Sequence, residues 1–293
     1  MSPQKTIVGI GEILLDKFPE YIKPGGAPCN VVYNASLLGN KGYLISATGM
    51  DNDGLFLRSF LNEHKISDEF VQYSPKQTGS VNISFIGSEA QYDITENVAW
   101  DDIQWNDSLL ELAQKTDAVC FSTLSQRNST SRETLYQFLE SVNKSCIKVL
   151  DVNLRTPYYS FNTLSRSFTF ADIVKLNEAE YALIGDLFET RNPALMLMDN
   201  FNVKEVILTL GKRGSRYYTK ANTIESKTSP VNEGVGDSVG VGDAFISCII
   251  HHKLLNTNPH DMLAKANKYA GLVASQKGAM INIPDHVISS LKK

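Results

Sequence analysis

Short apolar runs alternate with longer stretches of helical periodicity along most of the chain. Such an alternation is typical of an α/β fold, in which helices cover both faces of a mostly parallel sheet. The apolar runs predict strands over residues 6–13, 43–47, 118–122, 147–152, 173–176 and 203–209. The periodic stretches predict helices over residues 27–38, 55–64, 131–142, 178–184, 243–255 and 261–277. Ligands of such sheets bind at the carboxyl ends of the strands, so we expect a site there.

A different pattern, the alternation of polar and apolar residues, covers residues 79–87 and 90–96. It predicts two strands joined by a short turn. A hairpin cannot bury itself, so we expect a small β-sheet flap beside the main sheet, formed from segments near residues 12–24 and 79–98. The alternative is an ordinary hairpin at the edge of the main sheet.

Composition and charge narrow the class of protein. The chain has 293 residues, 42% hydrophobic and 20% charged, which is ordinary for a globular protein whose core needs no disulfide or structural metal. A net charge of −4, with scattered Lys and Arg, argues against a nucleic-acid partner. No apolar run approaches the ~18 residues of a membrane span, and the first residues lead into a strand without a charged leader. We therefore expect a cytoplasmic protein with no membrane partner. Its expected buried free thiols are Cys29, Cys120, Cys146 and Cys248.

The segment Gly240-Val241-Gly242-Asp243 opens a predicted apolar helix. Its glycines allow a tight turn whose N–H groups point into one hollow, and the positive end of the helix dipole suits an anion there. An aspartate would repel a bound phosphate. It fits catalysis, in which Asp243 takes a proton from a hydroxyl while the amides steady a phosphoryl group in transfer. The alternative is a loop with an aspartate helix cap. A second carboxylate in the glycine-containing run 234–239 favours catalysis.

Two candidate sites for hydroxyl groups lie near the start of the chain. Gly25 and Gly26 precede a predicted helix and allow a ligand to approach the backbone, while Asn30 can both donate and accept hydrogen bonds. Asp16 follows the first strand and could accept hydrogen bonds from two hydroxyls of a polyol. The alternatives are a turn with Pro28 at the helix start and a solvated loop aspartate.

Two further strand ends carry candidate groups for magnesium and phosphate. Asn177 and Glu180 share one face of a predicted helix, where an amide and a carboxylate could orient Mg²⁺ through its water shell. The alternative is a capping box, and both can hold at once. Arg155 has the fork geometry that suits the oxygens of a transferred phosphoryl group, the alternative being a surface salt bridge.

Several other motifs are incomplete in the sequence. The P-loop pattern and the G-x-S-x-G pattern are absent. Gly9 and Gly11 lack the third glycine of a dinucleotide fingerprint, because Leu14 stands in its place. His251 and His252 are adjacent, which does not suit a metal site on a helix, so we interpret them as helix-surface residues.

In their order along the chain, the motifs resemble those of the ribokinase-like (PfkB) family of carbohydrate kinases. The resemblance covers nearly the whole sequence. The matching motifs are Gly25-Gly26-x-x-x-Asn30, the N-x-x-E run from Asn177 to Glu180, the glycine segment Thr209-Leu210-Gly211-x-x-Gly214, and residues 237–245, which correspond to D-T-x-G-A-G-D-x-F. In the last motif Ser238 and Val241 replace the usual Thr and Ala, which preserves a hydroxyl and an apolar side chain.

The resemblance implies a three-layer α/β/α sandwich with a β-sheet lid, built as a single kinase domain over residues 1–293. It implies that Asp243 is the general base and that the backbone of Gly240, Val241 and Gly242 forms the anion hole. The implied sugar ligands are Asp16, Gly25, Gly26, Asn30, Tyr92 and Arg155. The implied ATP-site residues, with Mg²⁺ held through water by Glu180, are Asn177, Glu180, Thr209, Gly211, Gly214 and Asn267. The implied site for a monovalent cation, often K⁺ in relatives, consists of Asp237, Val239 and Gly278.

Within the family, Tyr92-Asp93-Ile94 and Val98-Ala99-Trp100-Asp101 resemble bacterial fructokinases. The resemblance therefore implies an ATP-dependent kinase for a primary hydroxyl, with O6 of fructose as the expected acceptor. Ribose, 2-keto-3-deoxygluconate and nucleosides are alternative acceptors. A catalytically silent sugar-binding regulator is the alternative class, and the incomplete fingerprint disfavours a dinucleotide-dependent oxidoreductase. The expected apolar face of the lid predicts a homodimer through it.

Overall fold

The computed structural model describes residues 4–86, 89–228 and 238–292. In chain order the strands are β1 (Thr6–Ile10), β2 (Leu14–Lys17), β3 (Ile22–Gly25), β4 (Lys41–Thr48), β5 (Val71–Tyr73), β6 (Gly79–Ile86), β7 (Glu89–Ile94), β8 (Ala118–Phe121), β9 (Ile147–Asp151), β10 (Ile173–Asn177), β11 (Glu205–Thr209), β12 (Ser215–Tyr218) and β13 (Thr223–Ser226). The main sheet has the order β13-β12-β11-β10-β9-β8-β1-β4-β5. It is parallel except for β12 and β13, which form an antiparallel hairpin against β11.

Helices connect most of the strands of the main sheet. They are α1 (Ala27–Leu37), α2 (Asn52–Glu63), α3 (Asp107–Ala113), α4 (Ser129–Ser141), α5 (Phe161–Phe170), α6 (Glu178–Leu187), α7 (Pro193–Asn200), α8 (Val241–Leu254), α9 (Pro259–Ala274) and α10 (Asp285–Leu291). Within the described ranges, no helix has the length and apolar character needed to cross a membrane.

The pleat of the strands sends side chains into two cores. On β8, Ala118 and Cys120 face a core shared with α1, α8 and α9, whereas Val119 and Phe121 face a core shared with α4 and α5. The sheet is therefore covered by helices on both faces, which confirms the predicted three-layer α/β/α arrangement.

A second sheet, which we call the lid, has the order β3-β2-β6-β7. The strand β2 pairs in parallel with β6, and the outer pairs are antiparallel. The predicted flap, with strands from the segment after Ile13, is confirmed, and a simple hairpin at the edge of the main sheet is excluded. Leu14, Val81 and Ile83 of the lid cluster with the fully buried Trp100.

The prediction that His251 and His252 lie on a helix surface is wrong. Both side chains are buried, because α8 packs between α1 and α9 and is apolar on most of its circumference. Their Nε2 atoms lie 3.2 Å and 2.9 Å from the carbonyl oxygens of Lys292 and Leu291, at the end of α10. Burial lowers the pKa of His252 to about 4, so this histidine is a neutral structural group. The prediction for the cysteines is confirmed, since all four are buried and free.

Candidate active site

The carboxyl ends of the parallel strands and the N-terminus of α8 meet at one edge of the main sheet. Gly240 is the N-cap residue that precedes this helix. It has the left-handed conformation, with φ of 72°, and a Cβ at this position would collide with Ala279. The first N–H to bond within the helix is that of Ala244, which donates to Gly240. The amides of residues 241–243 therefore precede the helical hydrogen bonds and are placed to bind an anion. The helix begins at Val241, so Asp243 lies within its first turn.

Asp243 is held by a residue from the opposite helix. Asn30 on α1 donates from Nδ2 to Oδ2 of Asp243 over 2.8 Å. Burial, and after it the neighbouring Asp151 carboxylate, raise the pKa of Asp243 to about 6, against the effect of Asn30, Lys175 and Arg155. Oδ1 of Asn30 is buried and has no hydrogen-bond partner in the described part of the chain. The arrangement leaves a basic carboxylate and an acceptor oxygen side by side.

A second carboxylate, Glu12, lies beside Asp243 and was missed by sequence reasoning. It follows β1, is 2% exposed, and its Oε2 has no hydrogen-bond partner among the described residues. Burial raises the pKa of Glu12 to about 7, with a further contribution from the charge of Asp243. The signal in the sequence is a single charged residue within the otherwise apolar run of residues 7–15.

We expect replacement of Glu12 with Gln to change how stability depends on pH. The pKa of Glu12 is raised from 4.5 to about 7, so the folded protein keeps a proton that the unfolded chain releases. The stability that this proton confers is present below about pH 4.5 and is lost as pH rises through 7. Relative to the wild type, the variant should gain about 3 kcal/mol in free energy of unfolding between pH 4.5 and pH 8. Urea denaturation across this range measures the gain.

The matched control for this experiment is Glu111→Gln, since Glu111 is an exposed glutamate on α3. It should follow the wild type at every pH. A difference between Glu12→Gln and the wild type that stays constant from pH 4.5 to pH 8 would contradict the assignment.

The predicted sugar ligands Asp16, Gly25 and Gly26 lie where the lid joins α1. The carboxylate of Asp16 on β2 lies against Gly25 on the neighbouring strand β3, and a Cβ at Gly25 would collide with this carboxylate. Burial raises the pKa of Asp16 to about 6, opposed by the charges of Arg155 and Lys23. Gly26 has φ of 114°, and a Cβ there would collide with the Glu12 carbonyl. These contacts bring the lid strands, the β1 end and α1 together around one space.

Arg155 is exposed on the segment after β9 and donates from Nη1 to the carbonyl of Leu154 over 3.0 Å. Its positive charge lowers the pKa of Glu12, Asp16 and Asp243 against the effect of burial. The guanidinium therefore acts on the same group of carboxylates, as a residue near a transferred phosphoryl group would. Tyr92 lies on lid strand β7, and its side chain lies outside the described part of the structure.

Asn177 and Glu180 form the capping box that the sequence offered as an alternative. Oδ1 of Asn177 accepts from the N–H of Glu180, and Oε2 of Glu180 accepts from the N–H of Asn177. Oε1 of Glu180 accepts from the N–H of Leu154. In the described ranges, no three His, Cys, Asp or Glu side chains form a metal site. Both carboxylate oxygens of Glu180 thus accept hydrogen bonds from backbone N–H groups, and its role toward Mg²⁺ stays a prediction.

Three of the residues predicted to line the nucleotide site, Thr209, Gly211 and Gly214, lie at the end of β11 or just after it. Thr209 Oγ1 donates to the carbonyl of Leu176 over 3.3 Å. Gly211 and Gly214 bound a short 3₁₀ turn and both have positive φ. The amide of Asn267 on α9 donates to the backbone and the hydroxyl of Ser226 and so fixes β13 beside this turn.

The predicted monovalent-cation residues are only partly described. Asp237 lies outside the described residues. Val239 is exposed by 37% in the turn before α8, and Gly278 has φ of 92°. A Cβ at Gly278 would lie 3.4 Å from Nζ of Lys23 on lid strand β3.

The sandwich, the lid and an aspartate in the first turn of a glycine-led helix at the strand ends define a ribokinase-like kinase. The sequence matches the pfkB family carbohydrate kinase profile over residues 21–286. The chain belongs to this family, which confirms the resemblance drawn from its motifs.

Individual relatives agree with this assignment. An uncharacterized sugar kinase of Pyrococcus horikoshii is 28% identical over 290 residues, covering 92% of this chain and 88% of the relative. Its structure in complex with ATP has a TM-score of 0.80 at 27% identity and covers 94% of each chain. A fructokinase of Klebsiella pneumoniae is 25% identical over 295 residues, covering 94% of this chain and 95% of the relative. A Xylella fastidiosa fructokinase structure with bound ATP has a TM-score of 0.87 at 19% identity, and the match covers 99% of this chain and 98% of that one.

Proposed function

We propose that this carbohydrate kinase transfers the γ-phosphoryl group of ATP to a primary hydroxyl, with fructose as the acceptor and O6 as the position. The observation that carries the proposal is the Asp243 carboxylate, which lies among the first amides of α8 and is bonded to Asn30. Fructose is supported by the likeness of residues 92–101 to bacterial fructokinases and by the K. pneumoniae fructokinase among the relatives.

In the proposed reaction the sugar hydroxyl gives its proton to Asp243 while its oxygen attacks the γ-phosphorus. The new P–O bond forms as the bond between the γ-phosphorus and the β,γ-bridging oxygen breaks, and that oxygen leaves in ADP. A pKa of about 6 keeps Asp243 ionised at neutral pH and makes it more basic than an ordinary aspartate. Asn30 keeps the carboxylate facing the acceptor.

In this proposal the amides of residues 241–243, the dipole of α8 and Arg155 stabilise the negative charge that develops on the transferred group. The amides and the helix dipole are already in place before the reaction, so the stabilisation that they give requires no rearrangement. Mg²⁺ bound to the nucleotide phosphates would neutralise part of their charge, and Glu180 is the residue proposed to hold its waters. A requirement for K⁺ stays a prediction.

The acceptor is assigned to the space bounded by the lid and α1. Asp16 and the backbone at Gly25 and Gly26 bound it on the lid side, and Asn30 bounds it on the α1 side. Oδ1 of Asn30 and Oε2 of Glu12 remain available to accept hydrogen bonds from sugar hydroxyls. Such acceptors suit a polyol because each hydroxyl needs a partner when water is excluded.

A panel of acceptors tests the proposal. Fructose, ribose, 2-keto-3-deoxygluconate and adenosine are each incubated with ATP and MgCl₂, and ADP release is followed against a reaction without acceptor. We expect fructose to give the highest kcat/KM and the product to be the 6-phosphate by ¹³C NMR. Faster turnover of another acceptor would refute the fructose assignment. Calorimetric sugar binding without turnover of any acceptor would instead support a silent regulator.

Two sequence predictions stay predictions. The first is a homodimer through the lid, which is supported by the exposed side chains of Tyr21, just before β3, and Ile22, the first residue of β3. The second is a cytoplasmic location.

A further inference from the structure

A buried ion pair lies beneath the N-terminus of α8. Lys175 on β10 and Asp151 on β9 are opposite each other in the parallel pair, and Nζ of Lys175 lies 2.9 Å and 3.1 Å from the two carboxylate oxygens. The two side chains are only 8% and 6% exposed. A Cβ at Gly242 would lie 3.1 Å from Nζ, so the ammonium lies against the backbone of the proposed anion hole.

Negative groups surround this ammonium from several elements. Asp151, Glu180 on α6 and Asp243 on α8 all act on it. Burial alone would lower the pKa of Lys175, but these carboxylates together raise it above its ordinary value, so the side chain stays charged. The exposed Arg155 also acts on the pKa of Asp243, and the charges of Arg155 and Asp243 both act on the pKa of Glu12.

Stability alone does not explain this pair. Two buried charges lose hydration that their attraction offsets only in part, and apolar replacements of such pairs are often neutral or stabilising. An ammonium has three donors, and the carboxylate oxygens of Asp151 accept two of them. The location of the Lys175 ammonium against Gly242 therefore points to a role in the electrostatics of the N-terminus of α8.

We propose that Lys175 is a positioning residue for phosphoryl transfer, whose ammonium, held by Asp151, fixes a positive charge under the amides of residues 241–243. The ammonium lies against Gly242 and adds to the partial positive charge of the helix end, where the transferred group would gather negative charge. The inference rests on the proposed function, because it takes this helix end as the site of the transferred group.

The test removes both charges together, because Lys175→Met alone would leave Asp151 buried without a counter-ion. The variant is Lys175→Met with Asp151→Asn. The matched control is Lys204→Met with Asp172→Asn, which removes a Lys–Asp pair at the amino ends of β10 and β11. Turnover is measured at pH 8, above the pKa of about 6 that burial and Asp151 give Asp243 in the wild type. Calorimetry measures ADP binding with MgCl₂, with and without aluminium fluoride, a planar anion that mimics the group in transfer.

We expect the double variant to lose about 10- to 100-fold in kcat, with the KM for sugar changed less than about threefold. We also expect it to lose most of the gain in ADP affinity that aluminium fluoride gives the wild type, while the control keeps both properties. A kcat within threefold of the wild type, or a change in KM alone, would overturn the inference. So would a gain in ADP affinity from aluminium fluoride that is as large in the double variant as in the wild type, or the absence of such a gain in the wild type.

The two proposals fail in different measurements. If no sugar on the panel is phosphorylated, the proposed acceptor is wrong, and the ADP titration still decides whether Lys175 supports a planar anion. If fructose is phosphorylated and the double variant behaves as the wild type does, only the assignment of Lys175 fails.

Discussion

Replacement of Asp243 with Asn is expected to lower kcat by about 10³-fold, within the range that a general base contributes. The amide has nearly the same shape and can still contact Asn30, but it cannot accept the proton of the sugar hydroxyl. The amides of residues 241–243, which are proposed to bind the anion, stay in place, so the affinity for ATP should change less than about threefold. Steady-state kinetics with the preferred sugar and calorimetric titration of ATP measure these two quantities.

A matched control for this variant is Asp261→Asn, since Asp261 is an exposed aspartate in the first turn of α9. It should retain wild-type turnover within about twofold, which separates the effect of the proposed base from a general effect of an aspartate near a helix start. Turnover of Asp243→Asn above a tenth of the wild-type rate would show that another group takes the proton.

Replacement of Arg127 with Met is expected to lower the free energy of unfolding by about 3–5 kcal/mol. Its guanidinium donates to both oxygens of Asp101 over 2.8 Å and to the carbonyl of Thr95, next to the end of β7. It also lies 3.9 Å from the ring centre of the buried Trp100. The variant would leave the Asp101 carboxylate, which is 1% exposed, without its counter-charge. Urea denaturation at pH 7 measures the loss.

The control for this prediction is Arg166→Met. Arg166 pairs with Glu140 on the surface, where the two side chains are 52% and 57% exposed, and such a pair contributes less than about 1 kcal/mol. Equal losses in the two variants would mean that Arg127 contributes no more than a surface arginine. A loss confined to Arg127→Met would identify it as the anchor of the lid strand β7.

The sequence predicts the strands of the parallel sheet well because they are buried on both faces and form unbroken apolar runs. The run at residues 118–121, for example, is apolar and buried throughout and forms β8. The hairpin of β12 and β13 was not predicted, since its strands are short and rich in polar residues. The helices α3, α5, α7 and α10 were also not predicted, and α3, α7 and α10 have only seven or eight residues, too few to show a repeated helical period.

The candidate site was predictable where glycine and acidic residues form a local motif. The positions of Asp243, Asn30 and Gly26 could be read from such motifs, although the contact between Asn30 and Asp243 joins residues on distant helices. Glu12 and Lys175 could not be found in this way. Their surroundings arise from strand register and helix packing, which place Lys175 opposite Asp151 and beneath Gly242. The burial of His251 and His252 likewise follows from the packing of α8 between α1 and α9 and against the end of α10, contacts between elements that no motif specifies.

The route of the chain through the lid has a consequence for folding. Both β2 and β3 are inserted between β1 and α1, and β2 pairs with β6, so that Leu14 lies opposite Gly79. Closing so long a loop has an entropic cost before the pairing contributes any stability. The proposed acceptor site borders β2, at one end of this loop, so we expect the site to form late. Nascent chains that stop short of β6 would carry Asp16, Gly25 and Gly26 without the strand that pairs with β2 and completes the lid.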